Sequence, residues 1–445
     1  MSKLFFPFNE TNEISLDDFE QKSRSLANSF QEKIKGEPIA FIGDKSLDHC
    51  LHLNAAHIAG NPFFHFNPQY PVKKWAELVD LLNLKNIFCD STLFDKFDEL
   101  KRLRPQVKKI QFKTSASALE IVPASPIAYY MATSGSTGTP KIIEISREQL
   151  ECALSNIERL IEINNDDLFS HVSQLCFDVA IADFFIPLRQ RCSLLFIPST
   201  QVFSSLSLIE KYKATVWSSS PSLLKFCFNA APDTKIPSIK KAIHCGEAFD
   251  QTLSQIWNLL SPGAELINLY GPAEATIAVS GHRCPNPLTE LPIGEAFNKH
   301  VFKVTAEGEL LIKGPQVVEK YFNGAGIIDE NQFYATGDFF DSEMKFRGRR
   351  DDQIKIAGMR FNLAAIEKIL YDKFNLTAAV QLINEEMVVV VSEKNIHKIN
   401  LKELQSCLKD ELPVKFIPKK LFIIKELPLS ASGKLDRKSI LALLK

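Results

Sequence analysis

No apolar stretch of this chain approaches the ~20 residues needed to cross a bilayer. The start, MSKLFFPFNE, breaks its short apolar run at Asn9 and Glu10, which excludes a signal-peptide core. Net charge is nearly absent: 52 Lys+Arg stand against 53 Asp+Glu. That balance gives no electrostatic reason to expect a polyanion such as DNA. Cysteine pairs at C-x-x-C spacing are missing, and no histidine spacing suits zinc. The nine cysteines are scattered, several of them in apolar runs, such as Cys192 before Leu194-Leu195-Phe196. They read as free thiols in a reducing compartment. There is no internal repeat and no low-complexity segment. These absences leave a cytoplasmic protein with neither a nucleic-acid nor a membrane partner expected.

What is present suffices for two domains. The 445 residues exceed one typical domain, and 45% hydrophobic with 24% charged residues is ordinary for a globular protein. Pro38–Gly43 reads as a buried strand, Leu51–Ala59 as helix, Phe63–Pro71 as loop, Trp75–Leu84 as helix and Asn86–Cys89 as strand. Such alternation predicts a mostly parallel sheet with covering helices. Arg147–Ile163 reads as helix, with Leu150, Ala153, Leu154, Ile157, Leu160 and Ile161 on one apolar face, a core stripe. The last ~95 residues read as a small α/β unit, with helices over Ala364–Lys373 and Leu401–Leu412 and strands over Met387–Val391 and Lys420–Ile424. The polar cluster Arg347–Asp352 is expected to be the exposed boundary. Residues 352–445 hold 16 Lys+Arg against 11 Asp+Glu, and the remainder 36 against 42. Chance accounts for that asymmetry.

Between the strand-like stretches Ile127–Ala132 and Ile142–Ile145 lies Thr133-Ser-Gly-Ser-Thr-Gly-Thr-Pro-Lys141. Gly135 and Gly138 permit tight turns. Ser134, Ser136, Thr137 and Thr139 offer hydroxyls, and Lys141 a positive charge. Converging N–H groups, hydroxyls and a cation make an anion cradle suited to a phosphate chain. The spacing is not that of a Walker loop, and the segment precedes a strand rather than opening a helix. Taken alone, a flexible hairpin loop is the alternative reading.

The run YYMATSGSTGTPK resembles the phosphate-binding signature of the adenylate-forming (AMP-binding) superfamily: acyl-CoA synthetases, luciferases and the adenylation domains of peptide synthetases. Further segments follow in that family's order. Asn268–Thr276 resembles its adenine- and magnesium-binding segment, Tyr334–Asp338 its ribose-binding segment, Gly348–Gly358 its hinge and Leu427–Arg437 its catalytic-lysine loop. Asn67–Pro71 resembles a loop near the start of these domains. The resemblance is closest to a free-standing amino-acid adenylation domain of the nonribosomal peptide synthetase type. It implies an α/β fold with a large N-terminal domain of mixed sheets and covering helices (residues 1–350) and a small mobile C-terminal α/β domain (residues 351–445).

The resemblance also assigns roles. Lys434 and Glu274 would be catalytic, with Glu274 holding Mg2+. Thr133, Ser134, Gly135, Ser136, Thr137, Gly138, Lys141, Gly246, Asn268, Tyr270, Asp338 and Arg349 would bind ATP. Tyr270 would stack on adenine, Asp338 would accept the ribose hydroxyls, and Asp351 would be the hinge. Positive charge aimed at the α-phosphorus is what condensing a carboxylate with ATP chiefly requires. The chain departs from the family pattern at Ile142, Ala273, Ala357, Asn362 and Ala364, which bears on coupling and rate.

Phe177-Asp178-Val-Ala-Ile-Ala-Asp183 resembles the segment that begins the substrate pocket. In amino-acid-activating members its first aspartate pairs with the substrate ammonium, and a buried carboxylate is costly without such a cation. Capping the following apolar helix is the alternative role for Asp178. Position-matching lines the pocket with Val179, Ala182, Ser218, Ile243, Cys245, Leu269, Ile277 and Ala278, an uncharged wall suited to a small or medium side chain. The expected activity is ATP-dependent activation of an amino acid, then transfer to the phosphopantetheine of an acyl or peptidyl carrier protein in trans, or to coenzyme A. Carrier proteins are usually acidic, which the basic tail suits. An acyl- or aryl-CoA ligase of the same fold and a catalytically inactive nucleotide-binding relative are the alternatives.

Overall fold

The computed structural model describes residues 2–8, 13–112, 122–133, 141–284, 290–322, 324–349, 353–356, 359–383, 386–394, 400–428, 435 and 437–444. Strand Ile39–Ile42 shows how the centre is built. All of its residues are buried; Ile39 and Phe41 face one core while Ala40 and Ile42 face another. A strand covered on both faces carries a continuous apolar run instead of an alternating one. It lies within a sheet ordered Lys108–Lys109, Asn86–Cys89, Ile39–Ile42, Phe63–His65, Ile127–Thr133, Lys141–Ser146, parallel except for the last pair.

A second, larger sheet has Leu168–His171, Val216–Ser219, Lys241–Cys245 and Glu265–Tyr270 as successive parallel neighbours, with antiparallel strands at its margins. Helices Leu47–Ala59, Arg147–Ile161 and Asp178–Arg189 share a core with the inner faces of both sheets. Helices Val72–Leu81 and Phe94–Leu103 cover the outer face of the first sheet, and Pro221–Ala230 and Gln251–Leu260 that of the second. In Arg147–Ile161 the Ser146 hydroxyl accepts from Gln149 N–H while the Gln149 side chain caps Ser146 in return. Leu150, Ala153, Leu154, Ile157 and Ile161 are buried as their spacing requires, with Leu160 half-buried against the same core.

An antiparallel sheet follows, ordered Val301–Val304, Glu309–Lys313, Tyr334–Phe340, Phe346–Arg349. Next come the hairpin Gln353–Ile356 with Met359–Asn362, helix Leu363–Phe374, and a sheet of Ala378–Ile383, Glu386–Ser392 and Lys420–Ile424 against helix Leu401–Lys409. This C-terminal part has its own core, including Ile366, Leu370, Val389 and Leu404. Phe177 packs against that core, and Lys74 Nζ reaches Glu411 Oε2 at 3.4 Å.

Some expectations shift. Phe63–His65 is a buried strand where a loop was expected, its Phe63 ring stacked on Tyr129 at 5.6 Å; the turn residues that suggested a loop begin only at Asn67. The helix expected from Trp75 begins at Val72, directly after Pro71, and ends at Leu81. Arg347 to Arg349 are strand where an exposed linker was expected; Arg347 is exposed, while Arg349 is drawn inward by a buried carboxylate. Ala378–Ile383 is a strand the sequence reading passed over. Among the described residues no helix is long and apolar enough to cross a membrane.

Candidate active site

Strand Glu265–Tyr270 ends between two cores. Leu269 joins the core shared by the two large sheets, while Tyr270 packs against the core of the antiparallel sheet. Successive residues of a strand face opposite ways, so one step along the chain changes compartments. The Tyr270 hydroxyl donates to Asp338 Oδ2 at 2.7 Å. Arg349 Nη1 donates to Asp338 Oδ1, and its Nη2 to the Thr336 carbonyl at 3.1 Å. Asp338 and Arg349 meet because they are opposed in adjacent strands. Burial, then the Asp338 carboxylate, pushes the Tyr270 phenol well above its usual range, so it stays a donor. A carboxylate has about four lone-pair sites, so Asp338 retains capacity for further donors such as ribose hydroxyls.

After Tyr270 the chain makes a tight excursion. Gly271 is required there, since a Cβ would lie 2.5 Å from the Ile277 carbonyl oxygen. Thr276 and Ile277 sit at φ 55° and 68°, a region β-branched residues rarely occupy. Fully buried Gln316 holds them. Its Nε2 donates to the carbonyls of Thr276 at 3.1 Å and Ala278 at 2.7 Å, and its own carbonyl accepts from Thr276 Oγ1 at 2.7 Å. Asn156 Nδ2 donates to Gln316 Oε1 at 2.9 Å. The excursion carries Glu274, which is buried and accepts from the Tyr321 hydroxyl at 3.3 Å. Lys141 Nζ stands 4.7 Å from the centre of the same Tyr321 ring.

Thr133 and Lys141 oppose each other across a hairpin, and Lys141 opens a strand. Ser134, Gly135, Ser136, Thr137 and Gly138 between them lie outside the described residues, as do Asp351 and Lys434. Gly246, at φ 92°, follows strand Lys241–Cys245, where a residue with a Cβ would be strained. Asn268, expected to bind nucleotide, is buried and its amide donates to the Pro292 carbonyl at 2.8 Å. Gln316 and Tyr321 were not found from sequence. A single glutamine after a Gly-Pro turn has no pattern to mark it.

Of the eight expected wall residues, Ser218, Ile243, Cys245 and Leu269 stand on one face of neighbouring strands of the larger sheet. Ser218 is the cross-strand partner of Ile243, and Cys245 that of Leu269. Ile243 and Cys245, two apart, point the same way. Ala182, Ile243, Cys245, Leu269, Ile277 and Ala278 share one core, with Val179 packed against it. Helix Asp178–Arg189 lies over this face, and the Ser218 hydroxyl donates to its Asp183 Oδ1 at 2.7 Å. Asp178 opens the helix, its Oδ1 accepting Val179 N–H at 2.8 Å, as a first-turn acid should. It is also close enough to add to the burial that raises the Tyr129 phenol. The nine cysteines are free; burial pushes Cys89 and Cys192 up to about 12, so neither is a nucleophile at neutral pH.

A family model described as AMP-binding enzyme matches residues 2–322. Bacitracin synthase 1 of Bacillus licheniformis is 27% identical over 95% of this chain, which spans only 8% of that protein. The D-alanine--D-alanyl carrier protein ligase of Bacillus licheniformis is 24% identical over 97% of this chain and 95% of its own length. Among solved structures, the adenylation domain AlmE of Vibrio cholerae, in complex with glycyl-adenosine-5'-phosphate, matches with a TM-score of 0.84 at 22% identity, covering 100% of this chain and 95% of that one.

Proposed function

Because the chain belongs to the AMP-binding enzyme family and has the fold of adenylate-forming ligases, we propose that it activates an amino acid with a small or medium, uncharged side chain as the acyl-adenylate, releasing pyrophosphate. The acyl group then passes to a phosphopantetheine thiol on a carrier protein, and AMP leaves.

The observation that carries this reading is the adjacency of Leu269 and Tyr270. One belongs to the apolar wall and the next to the Tyr270–Asp338–Arg349 cluster. An acid seated on the wall and a nucleotide held by that cluster would therefore meet near the end of one strand. Asp338 takes the ribose hydroxyls and Tyr270 the adenine face. Arg349 and Lys141 supply positive charge toward the phosphates. Glu274, a buried hard oxygen donor, fits Mg2+, which supplies charge neutralisation at the phosphates when bound. Asp178 pairs with the substrate ammonium, and Lys434 brings positive charge to the carboxylate and α-phosphate as they react.

The acceptor is read from a relative whose name specifies a carrier protein and whose length this chain nearly spans. One arrangement can hardly both present Lys434 and admit a pantetheine thiol, so the unit from residue 351 onward turns about Asp351 between the two steps. Nine free cysteines suit a cytoplasmic setting.

Asp178→Ala tests the choice of an amino acid over other acids. The apparent KM for the amino acid should rise roughly 100-fold, the loss of one buried charge pair, while use of the des-amino analogue is spared. Unchanged amino-acid use would remove the main support for this choice and favour a ligase of simple carboxylic acids.

A further inference from the structure

The expected wall carries one hydroxyl, Ser218, and its hydrogen is already committed. Ser218 Oγ donates to Asp183 Oδ1 at 2.7 Å, and both residues are buried, at 1% and 4% exposure. A hydroxyl has one proton to give and two lone pairs with which to accept. Val179, Ala182 and Asp183 are spaced at i, i+3 and i+4, so they share one face of helix Asp178–Arg189, the face set against Ser218 and Ile243.

The surroundings keep Asp183 an acceptor. Burial lifts its carboxyl to about 7 even though Ser218, Ser173 and Lys45 all favour the anion, so above that pH it is an acceptor. Lys45 is fixed where it can do so. Its Nζ is buried and donates to the carbonyls of Val172 and Ser173 at 2.9 Å each. The turn that carries Lys45 is fastened at Asp44, whose backbone N–H donates to Asp90 Oδ2 at 2.9 Å, and at Ser46, whose hydroxyl donates to Asp90 Oδ1 at 2.7 Å. Lys45 thus reaches from the end of strand Ile39–Ile42 in one sheet to strand Leu168–His171 in the other. Asp183 Oδ2 is buried with no hydrogen-bond partner among the described residues.

We propose that Asp183 is a specificity-determining positioning residue: by taking the only proton of Ser218, it leaves the wall with a fixed hydrogen-bond acceptor and selects an amino acid whose short side chain carries a hydroxyl over its methyl counterpart. This rests on the amino-acid reading above and on the eight residues forming the acid pocket. A hydroxylated side chain donates to Ser218. A side chain ending in methyl leaves the Ser218 lone pairs buried without a donor, the costly case for a polar group. An acceptor-only side chain such as a carboxylate is repelled.

The test is ATP–pyrophosphate exchange at pH 8, where Asp183 is ionised, with the near-isosteric pairs serine against 2-aminobutyrate and threonine against valine. Each kcat/KM ratio is taken within a single protein preparation, so that losses from misfolding cancel. The hydroxylated member of at least one pair should be favoured by ~10-fold or more. In Ser218→Ala that ratio should collapse to within about threefold. In Asp183→Asn, whose amide can donate to Ser218 and turn its hydroxyl around, the ratio should fall as well. Amino-acid exchange in which the methyl member is used as well as or better than the hydroxylated one overturns the inference and leaves amino-acid activation standing. So does a preference that survives both substitutions. Exchange with des-amino acids alone overturns the amino-acid reading itself, and the inference with it.

Discussion

Gln316 is a single side chain on which an unusual backbone depends. Two consecutive β-branched residues at positive φ cost of order 1–3 kcal/mol each, and Gln316 offsets this through hydrogen bonds to Thr276 and Ala278. Gln316→Ala leaves those carbonyls and the Asn156 amide without their partner. It should lower stability by ~2–4 kcal/mol, read from denaturant unfolding. It should also lower kcat for adenylation, because Glu274 rides on the same excursion. Unchanged stability and rate together would show that the turn holds itself. Such residues set the limit of sequence reading here. Asp338 and Tyr270 could be named from the run that surrounds them, and the structure brings them within 2.7 Å. Gln316 acts through backbone carbonyls distant in sequence, which no spacing reveals. Asn268 was named in the same way as Tyr270, and one N–H of its amide donates to the Pro292 carbonyl.

At the scale of elements, several bounds were legible from the spacing of apolar residues. Helix Arg147–Ile161 showed its apolar stripe, and Asn86–Cys89 and Lys420–Ile424 have the expected bounds. Reading failed where tertiary packing overrode local signals, as in Phe63–His65 and in the inward turn of Arg349. Helix Arg437–Leu443 is fastened at its first residue. Arg437 donates through Nη1 and Nη2 to the two carboxylate oxygens of Glu367 at 2.8 and 3.0 Å, and Nη1 also reaches the Val380 carbonyl at 2.7 Å. A bidentate pair fixes both distance and orientation. The helix is therefore fastened to Leu363–Phe374 and Ala378–Ile383, three residues beyond Lys434. Arg437→Met should loosen that fastening and slow adenylation by ~10-fold or more, with the affinity for ATP nearly unchanged. An equal loss of ATP binding would contradict a role confined to positioning.

Across the whole molecule, buried histidines tie stability to pH. Burial holds His57 and His244 down to about 3, and lowers His52, His65 and His171 as well. The Trp257 indole can only donate, and it donates to His244 Nε2 at 2.8 Å; Nδ1 therefore carries the proton toward the Ser219 carbonyl at 3.1 Å, and the ring is neutral. These histidines titrate near 6.5 when unfolded, so the unfolded chain binds more protons below that pH. Stability is then full above about pH 6.5 and is lost as pH falls toward 3, at about 1.4 kcal/mol per pH unit for each such histidine. Asp183, raised to about 7, works in the opposite direction between about pH 7 and 4, but it is one group against several. The urea midpoint should fall between pH 7 and pH 5, and a flat or rising midpoint would contradict the burial of neutral rings.

The two-part α/β fold was legible because alternation of strand and helix and ordered motifs extend over nearly the whole chain. The Ser218–Asp183 hydrogen bond was not, because it joins residues far apart in the chain. The central claim, activation of an amino acid by adenylation, is met most directly by ATP–pyrophosphate exchange over a panel of amino acids and simple carboxylic acids. The account predicts Mg2+-dependent exchange with one or a few small or medium, uncharged amino acids, little with their des-amino analogues, and loss of exchange in Lys434→Ala. Binding of ATP with no exchange for any acid, or exchange untouched by Lys434→Ala, would contradict it.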